Sequence, residues 1–381
     1  MAKLSRREAL TAGTATFSVM QARTALGSQA NSAVAFGVIG TGGRGRYVGK
    51  LMTDDSRARL GAICDIFPDR IDLGKTQIPG GDKVKAYRDF KELLADPSLD
   101  AVLIATPVYL HPEHFEAAVA AKKHIYCEKP AGADVAGVKR LLAAAKRADP
   151  SKVIQFGFQQ RFSPEYLAAE KRLLAGEMGD LTLMMSYWVW GGNAFRPASP
   201  SPYPEEERMV RHWGANKSTS GDFIVEQDCH GLDVLNWFAR GLPVSAVGDG
   251  GRKARQSGDN TDHVNVIYEY PAGLKGWLLG TQLPPTPYWD VKEQFFGTKA
   301  VIETTRSYYT WFEGGKRGVT KFDSKREITI DAIEHYFSAV VEKRKFNMAE
   351  DACTSTLTSL LGRMACEKQR KVTWAEMMKS A

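Results

Sequence analysis

The chain has 381 residues, of which 43% are hydrophobic and 25% are charged, and its formal net charge is +7. These values are ordinary for globular proteins, so they exclude a disordered chain, and the length suits two domains of about 100–200 residues each. Lys and Arg do not cluster among aromatic residues, so no nucleic acid is expected as a partner. No run of ~20 apolar residues predicts a membrane span.

The first 33 residues differ in character from the rest of the chain. Arg6 and Arg7 precede a mildly apolar stretch at 9–20, and small residues follow at 25–33. This order resembles a twin-arginine signal, which is an export address and not part of the fold. We therefore expect residues 1–33 to be a signal peptide and linker, and the mature protein to reach the periplasm already folded. The alternative is a disordered cytosolic tail. Without this segment the net charge falls to +4, because it holds four basic residues and one acidic residue.

The five cysteines are spread along the chain without CxxC spacing. They are Cys64, Cys127, Cys229, Cys353 and Cys366. An odd number of scattered thiols predicts neither a disulfide framework nor a zinc site, and we expect no metal.

Strands and helices alternate in the segment that begins at residue 34. The apolar run 34–39 is typical of a buried parallel strand, and it leads directly into the glycine-rich sequence 40–45. Further strands are predicted at 59–64, 101–105 and 124–127, and helices at 47–52, 68–75, 87–95, 111–121 and 133–148. This alternation predicts an α/β domain with a parallel sheet over residues 34–151.

From about residue 152 the pattern changes. A strand at 153–158, a helix at 164–175 and an aromatic-rich strand at 181–190 precede a long Pro/Gly/Ser-rich loop at 191–221. A helix at 229–239 follows, with strands at 244–249, 262–270, 274–282, 289–297 and 300–304, and closing helices at 331–343 and 350–368. A short turn at 271–273 joins two of these strands, which indicates antiparallel pairing. We expect an α+β domain over 152–381 with a large, mainly antiparallel open sheet, whose last helices pack back on the first domain.

The glycine-rich sequence is a GxGxxG motif in a specific context, because it follows a predicted strand, opens a helix and precedes Asp65 at the end of the next strand. In a Rossmann dinucleotide site the three glycines allow a tight turn, approach of the pyrophosphate and close helix packing, and the helix amides bind the anion. The residues expected to contact the cofactor here are Gly40, Gly42, Gly43, Arg44, Gly45 and Asp65. Asp65 would bond the ribose and repel a 2′-phosphate, which favours NAD over NADP. The alternative is a tight turn without a ligand.

Three short motifs then follow in order: Thr106-Pro107 after a strand, His111-Pro112-Glu113-His114, and Glu128-Lys129-Pro130. Together they resemble the glucose–fructose oxidoreductase, inositol dehydrogenase and MocA (Gfo/Idh/MocA) family, and the resemblance covers about residues 34–381. It implies a Rossmann domain followed by an α/β domain whose open sheet mediates homo-oligomerisation, as a dimer or tetramer. It also implies cofactor contacts by Thr106, Pro107, His111, Glu128 and Lys129, and a cis bond between Lys129 and Pro130.

Lys129 is the first candidate catalytic residue. A dehydrogenase takes a proton from a carbinol while hydride leaves for the nicotinamide, so an acid–base group must lie beside the ring. A partly desolvated lysine near a positive ring would have a lowered pKa and could act as an acid–base group or stabilise an oxyanion. On its own, the side chain would instead be read as a surface lysine.

A second cluster of polar residues lies at 226–233. Glu226 and His230 are four apart, and His230 and Asp233 three apart, so in a helix either carboxylate could orient the imidazole. We expect His230 and Glu226 to be catalytic with Lys129, and Asp228 and Asp233 to contact the substrate. The family commonly has Asp at the position of Glu226 and a small residue at that of Asp228. The alternative is a helix-capping histidine beside apolar core residues.

The expected substrate contacts also include one arginine and several aromatic residues. Arg161 follows the strand at 153–158, although an ion pair would explain it equally well. Tyr187, Trp188, Trp190, Tyr203 and Trp213 flank the long loop, and aromatic faces stack on sugar rings, while core packing explains any one of them. We expect Tyr187 and Trp213 to contact a carbohydrate.

These features predict an exported NAD-dependent oxidoreductase that acts on a sugar, polyol or glycoside. The periplasm supplies no free NAD, so the cofactor would be tightly bound and regenerated in each cycle. The first alternative is an NAD-dependent glycosidase that works by transient oxidation, elimination, hydration and re-reduction, for which extra carboxylates at Glu226 and Asp228 would be suited. The second is a non-catalytic sugar-binding protein.

Overall fold

A computed structural model describes residues 33–191 and 201–380. The predicted signal peptide and the beginning of the predicted loop at 191–221 lie outside these residues. Within the two described ranges, no helix is both long enough and apolar enough to cross a bilayer.

The N-terminal domain contains a parallel sheet that, among the described residues, has six strands in the order β3-β2-β1-β4-β5-β6. Its strands are β1 (Val34–Ile39), β2 (Ala58–Cys64), β3 (Lys85–Tyr87), β4 (Ala101–Ile104), β5 (His124–Cys127) and β6 (Ile154–Phe156). Its helices are α1 (Gly43–Thr53), α2 (Pro68–Gln77), α3 (Phe90–Leu94), α4 (His111–Ala120) and α5 (Val135–Lys146). Every residue of β1 is buried, as a strand covered on both faces requires. The predicted Rossmann domain is confirmed.

Two details of this domain differ from the prediction. The sequence at 85–87 forms the edge strand β3, and helix α3 starts only at Phe90, after the capping residue Asp89. Strand β6, which we predicted to open the second domain, instead pairs in parallel with β5. The domain boundary therefore falls after β6. The apolar run of β6 predicts a buried strand but does not identify the sheet that it joins.

The C-terminal domain contains a larger sheet, with nine strands among the described residues, in the order β14-β13-β12-β11-β7-β10-β9-β8-β15. These strands are β7 (Leu181–Trp190), β8 (Ser245–Gly251), β9 (His263–Glu269), β10 (Lys275–Thr281), β11 (Trp289–Gly297), β12 (Ala300–Thr304), β13 (Tyr308–Glu313), β14 (Thr320–Asp323) and β15 (Val372–Thr373). Among the described strands of this second sheet, only β7 and β10 pair in parallel, so the mainly antiparallel sheet is confirmed. Strands β13, β14 and β15 were not predicted.

The helices of this domain lie mostly against one face of the sheet. They are α6 (Pro164–Leu174), α7 (Glu205–Arg211), α8 (Lys217–Ser220), α9 (Phe223–Glu226), α10 (Cys229–Ala239), α11 (Ile328–Val341), α12 (Ala349–Lys368) and α13 (Trp374–Lys379). Helices α7 and α8 fall inside the stretch 191–221 that we predicted to be a loop. The prediction of an irregular loop is therefore wrong for its second half, where Glu205 to Arg211 form two helical turns.

The last long helices return to the first domain. On α11, the ring of Phe337 lies 6.1 Å from that of Phe36 in β1, and Tyr336 meets Tyr126 of β5 edge to face. On α12, the Thr356 hydroxyl accepts a hydrogen bond of 2.9 Å from the Ala131 amide. The two domains thus share buried side chains.

Candidate active site

The glycine turn at the start of α1 has the geometry of a phosphate cradle. Gly40 has φ +91°, and a Cβ on Gly45 would lie 1.9 Å from the Gly40 carbonyl oxygen, so a side chain at either position would disrupt the turn. No atom lies within 4 Å of a Cβ built on Gly42 or Gly43. Helix α1 has no capping side chain, so its first amides are available to an anion. These features fit the pyrophosphate of a dinucleotide.

Asp65 is fixed next to this turn. Its Oδ2 accepts a 2.9 Å hydrogen bond from the Thr41 amide, and its Oδ1 accepts one of 3.1 Å from the Phe67 amide. The carboxylate lines a cavity of about 440 Å³ together with Gly42, Arg70 and Thr106. This position at the carboxyl end of β2 suits the adenosine ribose.

The loops after β4 and β5 form the far side of the groove. Thr106 and Pro107 line the cavity as predicted, and so does His114, whose Nδ1 lies 3.0 Å from the Thr106 hydroxyl. His111 does not line it. Its ring is buried between the Pro130 carbonyl oxygen at 2.7 Å and the Thr106 carbonyl oxygen at 2.9 Å. The predicted cofactor contact by His111 is therefore corrected to a role in joining the two loops.

Glu128 and Arg44 form an ion pair of 2.9 Å, and the side chain of Glu128 is 5% exposed. The carboxylate thus holds the arginine of the glycine turn and has almost no surface left for a cofactor. Glu128 positions Arg44, and a direct contact between Glu128 and the nucleotide is not supported by this burial.

Lys129 precedes a cis peptide bond to Pro130, as the family resemblance implied. Its ammonium donates hydrogen bonds to the Glu226 carbonyl oxygen and, at 3.2 Å, to the Glu226 carboxylate. Burial lowers the pKa of Lys129, but the attraction of Glu226 and other nearby groups outweighs burial, and the net pKa is raised. In this arrangement the predicted lowering of the lysine pKa is wrong, and Lys129 is a charged hydrogen-bond donor.

His230 is buried beside this pair. Its ring stacks on Trp188 with centroids 5.4 Å apart and planes 6° apart, and it meets Phe158 edge to face. Burial, together with the charges of Lys129, Arg306 and Arg44, holds its pKa well below the ordinary value. The imidazole is therefore neutral at physiological pH.

We expected a carboxylate to orient His230 through a hydrogen bond. Among the described residues, the His230 Nδ1 has no hydrogen-bond partner. Helix α9 ends at Glu226 and α10 begins at Cys229, so Glu226 and His230 do not share a continuous helix. Glu226 pairs with Lys129 and Asp233 with Arg161. The predicted carboxylate–histidine pairing is therefore wrong, because both carboxylates have cationic partners from other segments.

Asp228 is fully buried and does not contact open space. Its carboxylate packs against Gly280, where an added Cβ would lie 2.0 Å from Oδ2. Burial, with the nearby charges of Asp222 and Glu226, raises its pKa well above the ordinary value. The predicted substrate contact by Asp228 is not supported, since the side chain is buried in the core.

Arg161 and Asp233 bind each other. The guanidinium donates to both Asp233 oxygens at 2.8 to 3.1 Å, and the Ser355 hydroxyl of α12 donates to the same carboxylate. The Arg161 side chain is 15% exposed and that of Asp233 1% exposed. We correct both predicted substrate contacts to a structural ion pair that joins three helical segments.

The two aromatic substrate candidates lie in different places. Tyr187 alternates with the buried Ser186 and Trp188 along β7, so it lies on the opposite face of the sheet from His230, where Lys292 covers its ring. The predicted role of Tyr187 is therefore wrong. Trp213 lines the cavity that also contains Asp65, which places it at the nucleotide groove. Trp188, the next residue after Tyr187 in the same strand, stacks on His230.

Two arginines at this cleft were not predicted. Arg211 of α7 binds Asp69 of α2 through two hydrogen bonds, at 2.7 and 3.0 Å, and its guanidinium lies over the Phe67 ring at 3.7 Å. Arg306 lies over the Trp188 ring at 5.1 Å. Neither arginine belongs to a local motif, and each reaches the cleft from a segment distant in sequence.

The first domain thus provides a dinucleotide groove, and both domains bring a charged lysine and a neutral histidine to its end. This is the architecture of an NAD-dependent oxidoreductase.

Comparison with known proteins agrees with this class. The sequence profile of an oxidoreductase family with an NAD-binding Rossmann fold matches residues 34–156, and that of the GFO/IDH/MocA C-terminal domain matches residues 166–303. The chain belongs to the Gfo/Idh/MocA family.

Several relatives have assigned names. The chain is 28% identical over 271 residues to a myo-inositol 2-dehydrogenase of Thermotoga maritima, which covers 70% of this chain and 73% of that protein. It is 27% identical over 271 residues to a scyllo-inositol 2-dehydrogenase (NAD(+)) of Bacillus subtilis, covering 70% and 72% of the two chains. A levoglucosan dehydrogenase structure with NADH and levoglucosan shares the fold, with a TM-score of 0.76, 19% identity and coverage of 90% and 99%.

Proposed function

We propose that this protein is an exported oxidoreductase that oxidises a carbinol of a sugar or polyol and retains its NAD between turnovers. The observation that carries the proposal is the juxtaposition of a charged Lys129 and a neutral His230 at the end of a nucleotide groove. The inositol and levoglucosan dehydrogenases among its relatives are named for substrates of this class.

The protein residues perform the proton half of the reaction. The Lys129 ammonium donates a hydrogen bond to the carbinol oxygen, and this stabilises negative charge as the O–H bond breaks. His230, being neutral, accepts the proton. Glu226 keeps Lys129 charged and holds its position. When NAD is bound, its nicotinamide supplies the acceptor for the hydride.

The cofactor would be bound in the groove by residues already described. Gly42 and the amides of α1 would bind the pyrophosphate, Asp65 the adenosine ribose, and Thr106 and Pro107 the opposite side of the groove. An acidic residue at the end of β2 favours NAD, because its charge repels the extra phosphate of NADP.

Retention of the cofactor is supported by the segment 201–216, which we term the strap. This part of the C-terminal domain reaches across to the N-terminal domain, where Arg211 binds Asp69 and covers Phe67. Val210 and Trp213 of the strap line the same cavity as Asp65. Release of a nucleotide from this groove would require these contacts to separate, which makes dissociation slow.

Retention and export support each other. Arg6 and Arg7 suggest transport of a folded protein to the periplasm, where no NAD pool exists. A protein that leaves the cytosol with its cofactor must regenerate it by reducing a second compound. We therefore infer that one sugar is oxidised and another carbonyl compound reduced in each cycle.

The glycosidase alternative is not favoured by the site. It relied in part on a free carboxylate at Asp228, and that carboxylate is buried against Gly280. Glycoside cleavage and simple sugar binding remain as outcomes of the test.

The decisive test is chemical analysis of the purified mature protein. Denaturation should release NAD or NADH in near-stoichiometric amount, and incubation of the native protein with sugars and polyols should change the redox state of that nucleotide. Release of an aglycone from a chromogenic glycoside would instead support the glycosidase. A protein without nucleotide that still binds sugar would contradict our proposal.

The strap provides a sharper test of retention. We expect Arg211→Ala to raise the dissociation rate of NADH roughly tenfold, which corresponds to about 1.4 kcal/mol, because the strap loses its ion pair to Asp69. Arg208→Ala is the matched control, since Arg208 is exposed on the same helix and donates only to the Tyr203 carbonyl oxygen within the strap. Stopped-flow displacement of NADH measures both rates. Equal rates in the two variants would exclude a role for the strap.

We also propose a homo-oligomer formed through the uncovered face of the large sheet. Val247, Ile267 and Trp277 lie side by side on β8, β9 and β10, and each is more than 40% exposed. An exposed apolar row of this kind is typical of an interface. Sedimentation of the purified protein as a monomer would contradict this.

A further inference from the structure

Arg306 carries a positive charge that has no partner in the described part of the chain. Its Nε is buried without a hydrogen bond, and no carboxylate of residues 33–191 or 201–380 forms an ion pair with its guanidinium. The guanidinium lies over the indole ring of Trp188, 5.1 Å from the ring centroid. An unpaired charge in a buried position is costly, so it requires an explanation.

The register of the sheet explains how Arg306 reaches the active site. Thr304 of β12 lies opposite Glu293 of β11, which lies opposite Ser186 of β7. These residues share the covered face of the sheet. Arg306 follows Thr304 by two residues, and Trp188 follows Ser186 by two, so both reach the next level of the same face. The contact between the two side chains confirms this position.

Trp188 connects Arg306 to the residue that transfers the proton. One indole–imidazole stack joins Trp188 to His230, with 5.4 Å between the ring centroids. Arg306 is also close enough to His230 to lower the pKa of its imidazole. The guanidinium therefore lies at the end of the cleft that contains His230, and it is not part of the pyrophosphate cradle of α1.

The other cations at this end of the cleft have partners. Lys129 pairs with Glu226 at 3.2 Å, and Arg44 pairs with Glu128 at 2.9 Å. The carboxyl nearest in effect to Arg306 is Glu293, whose Oε2 accepts hydrogen bonds from Tyr166 and Thr304 and whose Oε1 has no hydrogen-bond partner among the described residues. Glu293 lies beyond ion-pair distance from the guanidinium. One positive charge beside the reaction centre is thus left for a ligand.

We propose that Arg306 binds a carboxylate of the substrate, so that the substrate is a sugar acid such as a uronate or an aldonate. This inference rests on the proposed function and narrows its substrate class. A guanidinium binds a carboxylate through two parallel hydrogen bonds, and the contact with the Trp188 ring holds this guanidinium beside His230. The carboxylate supplies the missing counter-charge, and the carbinol of the same molecule is then placed beside Lys129 and His230.

The experiment compares acids with their parent sugars. The holoenzyme is incubated separately with each acid and with its neutral parent, and kcat/KM is measured for each compound. The pairs are glucuronate with glucose, galacturonate with galactose, and gluconate with glucitol. We expect at least one acid to exceed its neutral parent about tenfold or more in the wild type. If neutral sugars are oxidised and no acid exceeds its parent, the Arg306 proposal is overturned while the proposed function stands. If no compound changes the redox state of the bound nucleotide, the proposed function fails first.

Variants identify the residue responsible. Arg306→Gln should lower kcat/KM for the preferred acid about 100-fold more than that for its neutral parent, and Arg306→Lys should restore part of this difference. Arg172→Gln is the matched control, because Arg172 also lies over a tryptophan, Trp311, but is paired with Glu177. Equal losses on acid and neutral sugar in Arg306→Gln would contradict carboxylate recognition. Retention of bound nucleotide shows whether each variant is folded, and the wild-type comparison stands without any variant.

Discussion

The two ends of the cleft are built in different ways. At the nucleotide end, the turn from Gly40 to Gly45 and Asp65 come from one continuous βαβ unit, and backbone amides provide most of the binding groups. At the reaction end, Lys129, His230 and Arg306 come from segments about 100 and 76 residues apart, and only the packing of both domains brings them together.

This difference has consequences for charge. The nucleotide end uses a helix terminus, whose partial charges need no counter-ion. The reaction end uses full charges that are partly buried, and most of them are neutralised by a carboxylate from another segment, as in Lys129 with Glu226 and Arg161 with Asp233. Substitutions at the reaction end should therefore separate catalytic charges from structural ones.

The largest expected effect is that of Lys129→Ala. Removing the donor to the carbinol oxygen should lower kcat by about 10³-fold or more, while the nucleotide content of the purified protein stays unchanged, because the glycine turn is intact. Steady-state kinetics and chromatography of the released nucleotide measure the two effects. Lys50→Ala, on the exposed side of α1, is the control. Normal turnover in Lys129→Ala would remove the lysine from the mechanism.

Arg161→Ala should affect stability and not catalysis. The change leaves Asp233 buried without its partner, which costs about 3–5 kcal/mol of unfolding free energy in comparable ion pairs. Arg363→Ala breaks a more exposed pair, Arg363 with Glu367, and should cost less than about 0.5 kcal/mol. Urea unfolding measures both losses. If Arg161→Ala keeps its stability but loses substrate affinity, Arg161 contacts the substrate after all.

Glu293→Gln should change the pH dependence of stability. Burial raises the pKa of Glu293 to about 7 from the ordinary 4.5. The folded state then binds this proton more tightly than the unfolded state does. The contribution of Glu293 to the unfolding free energy is therefore largest below pH 4.5, and it is lost as the pH rises to about 7. The decrease is at most about 3 kcal/mol.

The variant cannot ionise, so we expect its unfolding free energy to change less between pH 4.5 and 7 than that of the wild type. Urea unfolding at several pH values measures the difference. Glu303→Gln, on the neighbouring strand β12, is the control and should keep the wild-type dependence. Identical curves for the wild type and Glu293→Gln would show that folding does not raise the pKa of this carboxyl.

Features that depend on residues close together in the chain could be predicted from the sequence. The glycine turn and Asp65 follow from a local motif, and the alternation of strands and helices predicted the parallel sheet. These features depend on short-range sterics and hydrogen bonding, so a few neighbouring residues are enough to predict them. The cis bond before Pro130 was implied by the family resemblance.

Which carboxylates pair with which cations depends on the tertiary structure. Glu226 and Asp233 fit a helical spacing with His230, but each binds a cation from another segment, and Asp228 packs beneath the backbone of β10. The strap and Arg306 reach the cleft through domain packing and sheet register. Ion pairs form between side chains that are close in space. For residues far apart in the chain, that distance is set by the pairing of strands and the packing of the two domains, and not by local sequence.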